Sequence, residues 1–288
     1  EDTRTEDCPS VFRKTSSMQF SEALEVAKTL PKTELHLHLD GSLSPEFIMK
    51  RAAARGVEVP ATRQGLRQLI DQMKGELKAK GGDARAMTMV DPKKNWPIFD
   101  FMNQFLQTEE ELSEATFLLC SSLKLDHNVA LAEIRFCPSL HTVEGLTEDQ
   151  AVCAVVAGFE RARKEVAIRG GVIICALRSY PAPHPLQMAQ LARDHLGQGV
   201  VGFDVAGSEN YALSLPPILE SLRACKEWGV PITVHAGELP QGMIPNLRTA
   251  LDLGVDRIGH GVALAFGDAV ETQESSSLLA RVAESRVC

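Results

Sequence analysis

Gly171-Val-Ile-Ile-Cys-Ala-Leu177 and Val200-Val-Gly-Phe-Asp-Val-Ala206 decide the fold class. Both are apolar at nearly every position instead of alternating, which is how strands read in a parallel sheet covered on both faces. Outward from this pair the same pattern recurs at 34–39 (ELHLHL), 129–136 (VALAEIRF), 231–236 (PITVHA) and 256–261 (DRIGHG).

Helical signals fill the gaps. Ser44-Pro45 reads as an N-cap with proline at the first helical position, and Gly56 closes that helix. Thr108 to Glu111 and Thr147 to Gln150 are capping boxes. The first opens a helix to about 126, and the second a helix predicted to end at Gly170. Further helices are expected at 217–228 before Gly229, at 245–253 before Gly254, and from about Ser275 to Arg286. Strand–helix alternation means a doubly wound sheet or a (β/α)8 barrel. After the first strand comes Asp40-Gly-Ser-Leu-Ser44, which is not the G-x-G-x-x-G of a dinucleotide site. The chain also has no Walker A and no G-x-S-x-G. Residues 57–107 break the rhythm and read as an elaboration on the face where active sites form. Six βα units can be counted; a barrel needs two more strands and an open sheet needs none, so the count leaves both readings standing.

Composition narrows the function classes. The chain has 288 residues and a net charge of −8, with no basic stretch, which argues against nucleic-acid binding. No apolar run reaches the ~18 residues of a membrane span. The seven cysteines lack C-x-x-C spacing, and several lie in apolar runs, including Cys153 and Cys175. They are expected to be reduced and buried, as in a cytoplasmic protein. Residues 1–17 are polar, lack the apolar stretch of a signal peptide, and are expected to form a disordered tail ahead of one domain spanning 18–288.

The chemistry gathers at predicted strand ends, the functional edge of a parallel α/β fold. In His36-Leu37-His38, period-2 geometry puts both imidazoles on one side of the strand. Alone this is a weak metal signal. His235, ending another strand, tips it toward Zn²⁺, for which neutral imidazole is a standard ligand. In His235-Ala-Gly-Glu238 the glycine lets the chain turn and aim Glu238 at the mouth, where it is either a proton shuttle or a solvated loop residue. His260, between Gly259 and Gly261, is either functional or simply packed. Asp40 reads equally as a turn residue, and Asp204 as a buried carboxylate holding a hydrogen-bond network.

Together the motifs resemble one family. Thr33-Glu-Leu-His-Leu-His-Leu-Asp-Gly-Ser42, Ala132-Glu-Ile-Arg-Phe-Cys-Pro138, Gly202-Phe-Asp-Val-Ala-Gly-Ser-Glu209, Thr233-Val-His-Ala-Gly-Glu238 and Arg257-Ile-Gly-His-Gly261 occur in the order seen in adenosine deaminases. The resemblance runs from about Met18 to the C-terminus and implies a (β/α)8 barrel with zinc at its mouth. It also implies hydrolysis of adenosine, and of deoxyadenosine, to inosine and ammonia. By it, His36, His38 and His235 hold zinc, Glu238 protonates the purine N1, and His260 polarises the zinc-bound hydroxide. Gly207 offers its backbone to the purine N3, His38 borders the substrate, and Asp40 bonds the ribose. Phe101, Met102 and Phe105 resemble an apolar lid helix, though ordinary core packing explains them about as well.

Within the resemblance, Asp at position 40 favours adenosine over adenine or an N6-methylated adenine nucleotide. One departure is large. The family carries a Ser-Leu-Asn-Thr-Asp-Asp-like motif on its eighth strand that supplies a zinc ligand and a second catalytic aspartate. Nothing after His260 matches it, and Asp268 stands in a different context. The 288 residues are therefore expected to form six strands of the barrel, with strands 7 and 8 missing. They are expected to bind metal, yet to turn over little substrate. A purine-binding barrel without catalysis is the rival reading.

Overall fold

The structure is a computed structural model describing residues 20–79, 97–238, 243–266, 269–285 and 287–288. The expected 1–17 tail, Asp268 and part of the 57–107 elaboration lie outside the described residues.

Helix α1 (Phe20–Thr29) leads into strand β1 (Lys32–His38). Helices α2 (Pro45–Arg55), α3 (Arg63–Ala79), α4 (Pro97–Asn103) and α5 (Glu109–Leu125) separate it from β2 (Val129–Phe136). Among the described residues a single α-helix then lies between each strand and the next, with a short 3₁₀ helix (Pro138–His141) directly after β2. The order is α6 (Glu148–Val166), β3 (Arg169–Leu177), α7 (His184–Asp194), β4 (Val200–Ala206), α8 (Pro216–Trp228), β5 (Ile232–Ala236), α9 (Ile244–Leu253) and β6 (Arg257–His260). A short α10 (Ala263–Phe266) and α11 (Ala269–Ser285) follow. The six strands form one sheet in sequence order, and every adjacent pair is parallel. This is the strand arrangement of a TIM-type barrel, not the reordered sheet of a doubly wound fold.

The sheet curls far enough for its first and last strands to touch, since residue 259 on β6 packs on His36 of β1. Beyond β6, the Cys288 N–H donates to Asp256 O and its carbonyl accepts from Ile258 N–H at 2.9 Å. These two bonds tie residue 288 to the outer edge of β6.

The caps explain the helix boundaries. Thr108 and Thr147 each close a full capping box, and Ser44 accepts from the Phe47 N–H. Gly56, Gly229 and Gly254 end their helices in the left-handed conformation. The helix expected to reach Gly170 stops at Val166, where Ala167 adopts a left-handed φ of 56°. Gly170 instead lies in β3, because any side chain there would collide with the Ala132 backbone.

The core is continuous, running from Phe47 and Leu66 through Ile134, Val172, Phe203 and Val234 to Leu247. Cys120, Cys137, Cys175 and Cys225 are buried free thiols. Cys153, expected inside, is exposed. Val152, Val155 and Phe159 form the buried stripe of α6, and position 153 falls on its outer face. Among the described residues, no helix is long and apolar enough to cross a membrane.

Candidate metal and active site

The C-terminal ends of β1, β5 and β6 bring four histidines together. The Nε2 atoms of His36 and His38 each lie 3.1 Å from the Nε2 of His235. Ligands around a tetrahedral zinc stand roughly 3–4 Å apart, so three lone pairs aimed at one point suit a shared cation. Burial, with the nearby Arg135 guanidinium, pushes the His36 imidazole down to about 3. Burial, with His235, pushes His38 down to about 3 as well. Both rings are therefore in the neutral, metal-binding form at neutral pH.

Behind His235 stands Asp204 on β4, fully buried. Its two carboxylate oxygens lie 3.0 and 3.2 Å from His235 Nδ1, and Arg135 Nη1 donates to it at 2.8 Å. Burial opposes charging this carboxyl, yet His235 and Arg135 hold it well below the usual carboxylate range. With Nδ1–H spent on Asp204, the lone pair of His235 is left on Nε2, facing the other two rings. Arg135 also donates to the Leu35 carbonyl at 2.6 Å, tying β2 to the strand that carries the two histidines.

His260 completes the group. Its ring centroid lies 4.5 Å from that of His36 and 5.2 Å from that of His235. Its φ of 77° is a left-handed value uncommon outside glycine and often found at functional sites. Glu238 reaches toward it, with an oxygen 3.9 Å from His260 Nε2 and a side chain 47% exposed. Gly237 turns the chain with φ 71°, and a methyl there would meet Leu247 at 2.9 Å.

Asp40 lies in the turn after β1, 6% exposed, and its Oδ1 has no hydrogen-bond partner among the described residues. Burial pushes its carboxyl up to about 6. An orphaned buried acceptor is costly unless a ligand meets it. Gly207 follows β4 with φ 92° and is exposed. The structure gathers His36, His38, His235, His260 and Glu238 into one cluster. Met102 and Phe105, on and just after α4, are buried in the core. Phe101 is half-buried, with its ring edge-on to Phe105 at 5.4 Å.

Four residues given no role by the sequence reading support the cluster. Arg135 anchors Asp204. Arg178 donates to the His235 carbonyl, Glu209 accepts from the Gly237 and Glu238 amides, and Asn246 donates to Glu209. For Arg135 the sequence signal is a charged side chain within the largely apolar VALAEIRF, whereas Glu209 stands in the polar stretch Gly207-Ser-Glu-Asn210 and carries no such signal.

The family model described as adenosine deaminase matches residues 31–288. An adenosine deaminase of Enterococcus faecalis is 33% identical over 245 residues, covering 82% of this chain and 65% of that protein. The chain thus spans about two-thirds of the length of the curated relatives it matches. An amidohydrolase of Burkholderia ambifaria, solved with bound Zn, shares the fold at TM-score 0.70 and 21% identity, covering 94% of this chain and 67% of that one. An adenine deaminase of Arthrobacter aurescens aligns at TM-score 0.67 and 25% identity, covering 88% and 69%. From Pro31 to Cys288 the chain belongs to the adenosine deaminase family.

Proposed function

We propose that this chain acts with Zn²⁺ as a purine nucleoside aminohydrolase, converting adenosine and deoxyadenosine to inosine and ammonia. One observation carries the reading: three convergent imidazole Nε2 atoms share their strand ends with the Glu238–His260 pair. The donor set fits zinc, since three imidazoles with a carboxylate behind one of them are a common catalytic zinc arrangement. When bound, zinc supplies Lewis acidity that ionises water near neutral pH.

The remaining roles belong to the chain's own groups. Glu238, half-exposed at the mouth, hands a proton to the purine N1, so that negative charge does not build up on the ring during attack at C6. His260 lies within reach of Glu238 and beside the metal ligands, and orients the attacking water. Asp40 accepts from a ribose hydroxyl, which answers its orphaned oxygen. Gly207, without a side chain at the end of β4, lets the purine edge approach the backbone. In this reading Phe101 limits bulk water over the purine, backed by the buried Phe105 against which its ring packs, and His38 borders the purine. Buried free thiols suit a reducing, cytoplasmic setting.

The test is ammonia release by the zinc-loaded chain from adenosine, deoxyadenosine, adenine and N6-methyl-AMP in parallel. Fastest release from the two nucleosides is expected. Preference for adenine or the nucleotide would overturn the substrate assignment. Purine binding without release from any of the four would favour the non-catalytic reading.

A further inference from the structure

The His235–Glu238 turn is held from both sides by buried charge. Arg178 donates to the His235 carbonyl on one side. On the other, Glu209 Oε1 accepts from the Gly237 N–H at 2.9 Å and Oε2 from the Glu238 N–H at 2.7 Å. Glu209 is 6% exposed, and Asn246 Nδ2 also donates to it at 3.1 Å. The nearest Arg178 nitrogen is 3.9 Å from this carboxylate, beyond ordinary hydrogen-bond length. The buried carboxylate therefore directs its lone pairs at two consecutive backbone amides and at Asn246.

We infer that Glu209 is a positioning residue for Glu238. Two amides gripped by two oxygens of one carboxylate fix both the place and the rotation of the Gly237–Glu238 peptide plane. The Glu238 side chain is 47% exposed, and among the described residues its nearest ion-pair partner is 3.9 Å away. That contact holds it weakly, so the aim of its carboxyl is set at the backbone root. Asn246 extends the brace, donating also to the Glu209 carbonyl at 3.2 Å and accepting from the Leu213 N–H at 2.9 Å. Glutamine at 209 would keep one acceptor and set its NH₂ against the second amide, loosening the turn with little change in volume.

This inference rests on Glu238 as the proton donor, and a double-mutant cycle separates the two claims. Steady-state kinetics on adenosine, zinc content and thermal midpoint would be measured for wild type, Glu209→Gln, Glu238→Gln and the double variant. Misplacing a reacting group by about 1 Å can cost about a hundredfold. Glu209→Gln should therefore lower kcat about ten- to a hundredfold, with KM within about threefold and zinc content unchanged. In the Glu238→Gln background the same change should cost nothing more. Equal losses in both backgrounds would overturn the inference, whereas full activity of Glu238→Gln would overturn the proton-donor role alone. Amide hydrogen exchange gives a readout independent of turnover. The Gly237 and Glu238 amides should exchange faster in Glu209→Gln while β5 amides do not, and unchanged protection would also overturn it. Should Glu209→Gln fail to fold, Glu209→Asp keeps both acceptors but withdraws them by one methylene, and the same non-additivity and faster exchange are expected.

Discussion

The imidazole of His36 fills the space that a side chain at Gly259 would need: a methyl there would stand 2.6 Å from His36 Cε1 and 2.9 Å from Nδ1. The first strand of the sheet thus holds the His36 ring against bare backbone of the last. Gly259→Ala should rotate or displace His36 without removing it. Zinc affinity should fall about tenfold or more, as when an outer-shell partner is lost. Competition against a chromophoric chelator measures this, and unchanged affinity would show that His36 is not held in place by the glycine.

Zinc should stabilise the folded chain through the three histidines. At a hundred times its Kd, a ligand that binds only the native state adds about 2.7 kcal/mol. The urea midpoint should therefore rise on adding zinc and fall back on chelation. His38→Ala should abolish most of that rise. A rise of equal size in the variant would place the metal elsewhere.

Much of this site was legible in the sequence, and the reason is local. Strand ends are fixed by the chain's own apolar runs, so His36, His38, His235 and His260 could be put at one edge from spacing alone. All six strands lie within about two residues of their expected bounds. The supports were harder to read, because Arg135, Glu209 and Asn246 act through partners 69, 28 and 37 residues away. No periodicity encodes such pairings. The Gly170 boundary was misread for a related reason: the glycine answers to the Ala132 backbone on a neighbouring strand, not to the helix before it.

Asp204→Asn tests the support behind His235. The amide can still accept from Nδ1–H but leaves the buried Arg135 guanidinium without its countercharge. Breaking one side of a buried pair costs about 3–5 kcal/mol, and loss of a carboxylate behind a ligating histidine costs about 10–100-fold in metal affinity. Both a lower denaturation midpoint and weaker zinc binding are expected. Weaker zinc binding at unchanged stability would assign Asp204 to the metal alone.

Asp40→Ala should separate substrate from metal. The carboxylate lies in the turn after β1 and is not among the donor groups that converge at His36, His38 and His235. One charge-assisted hydrogen bond is worth about 1.5–3 kcal/mol, so adenosine affinity should fall about ten- to a hundredfold with zinc content unchanged. Loss of zinc in this variant would reassign the residue.

Acid stability should depend on two histidines outside the cluster. His141 is fully buried, with Nδ1 at 2.9 Å from the Leu106 carbonyl and no partner for Nε2 among the described residues. Burial pushes it down to about 4. His184, 2.9 Å from Ser139 Oγ, is likewise pushed by burial to about 4. In the unfolded chain both titrate near 6.5, so between those values the unfolded state binds more protons than the folded one. Their contribution is fully present above about pH 6.5 and is lost as pH falls toward 4. For fully buried His141 the loss is at most roughly 3 kcal/mol. Urea midpoints should therefore drop through this window. In His141→Gln, whose side chain does not titrate, the slope of stability against pH should flatten by up to one proton even if stability at pH 7 is lower. An unchanged slope would mean that His141 is protonated in the folded state or reaches water on its Nε2 side.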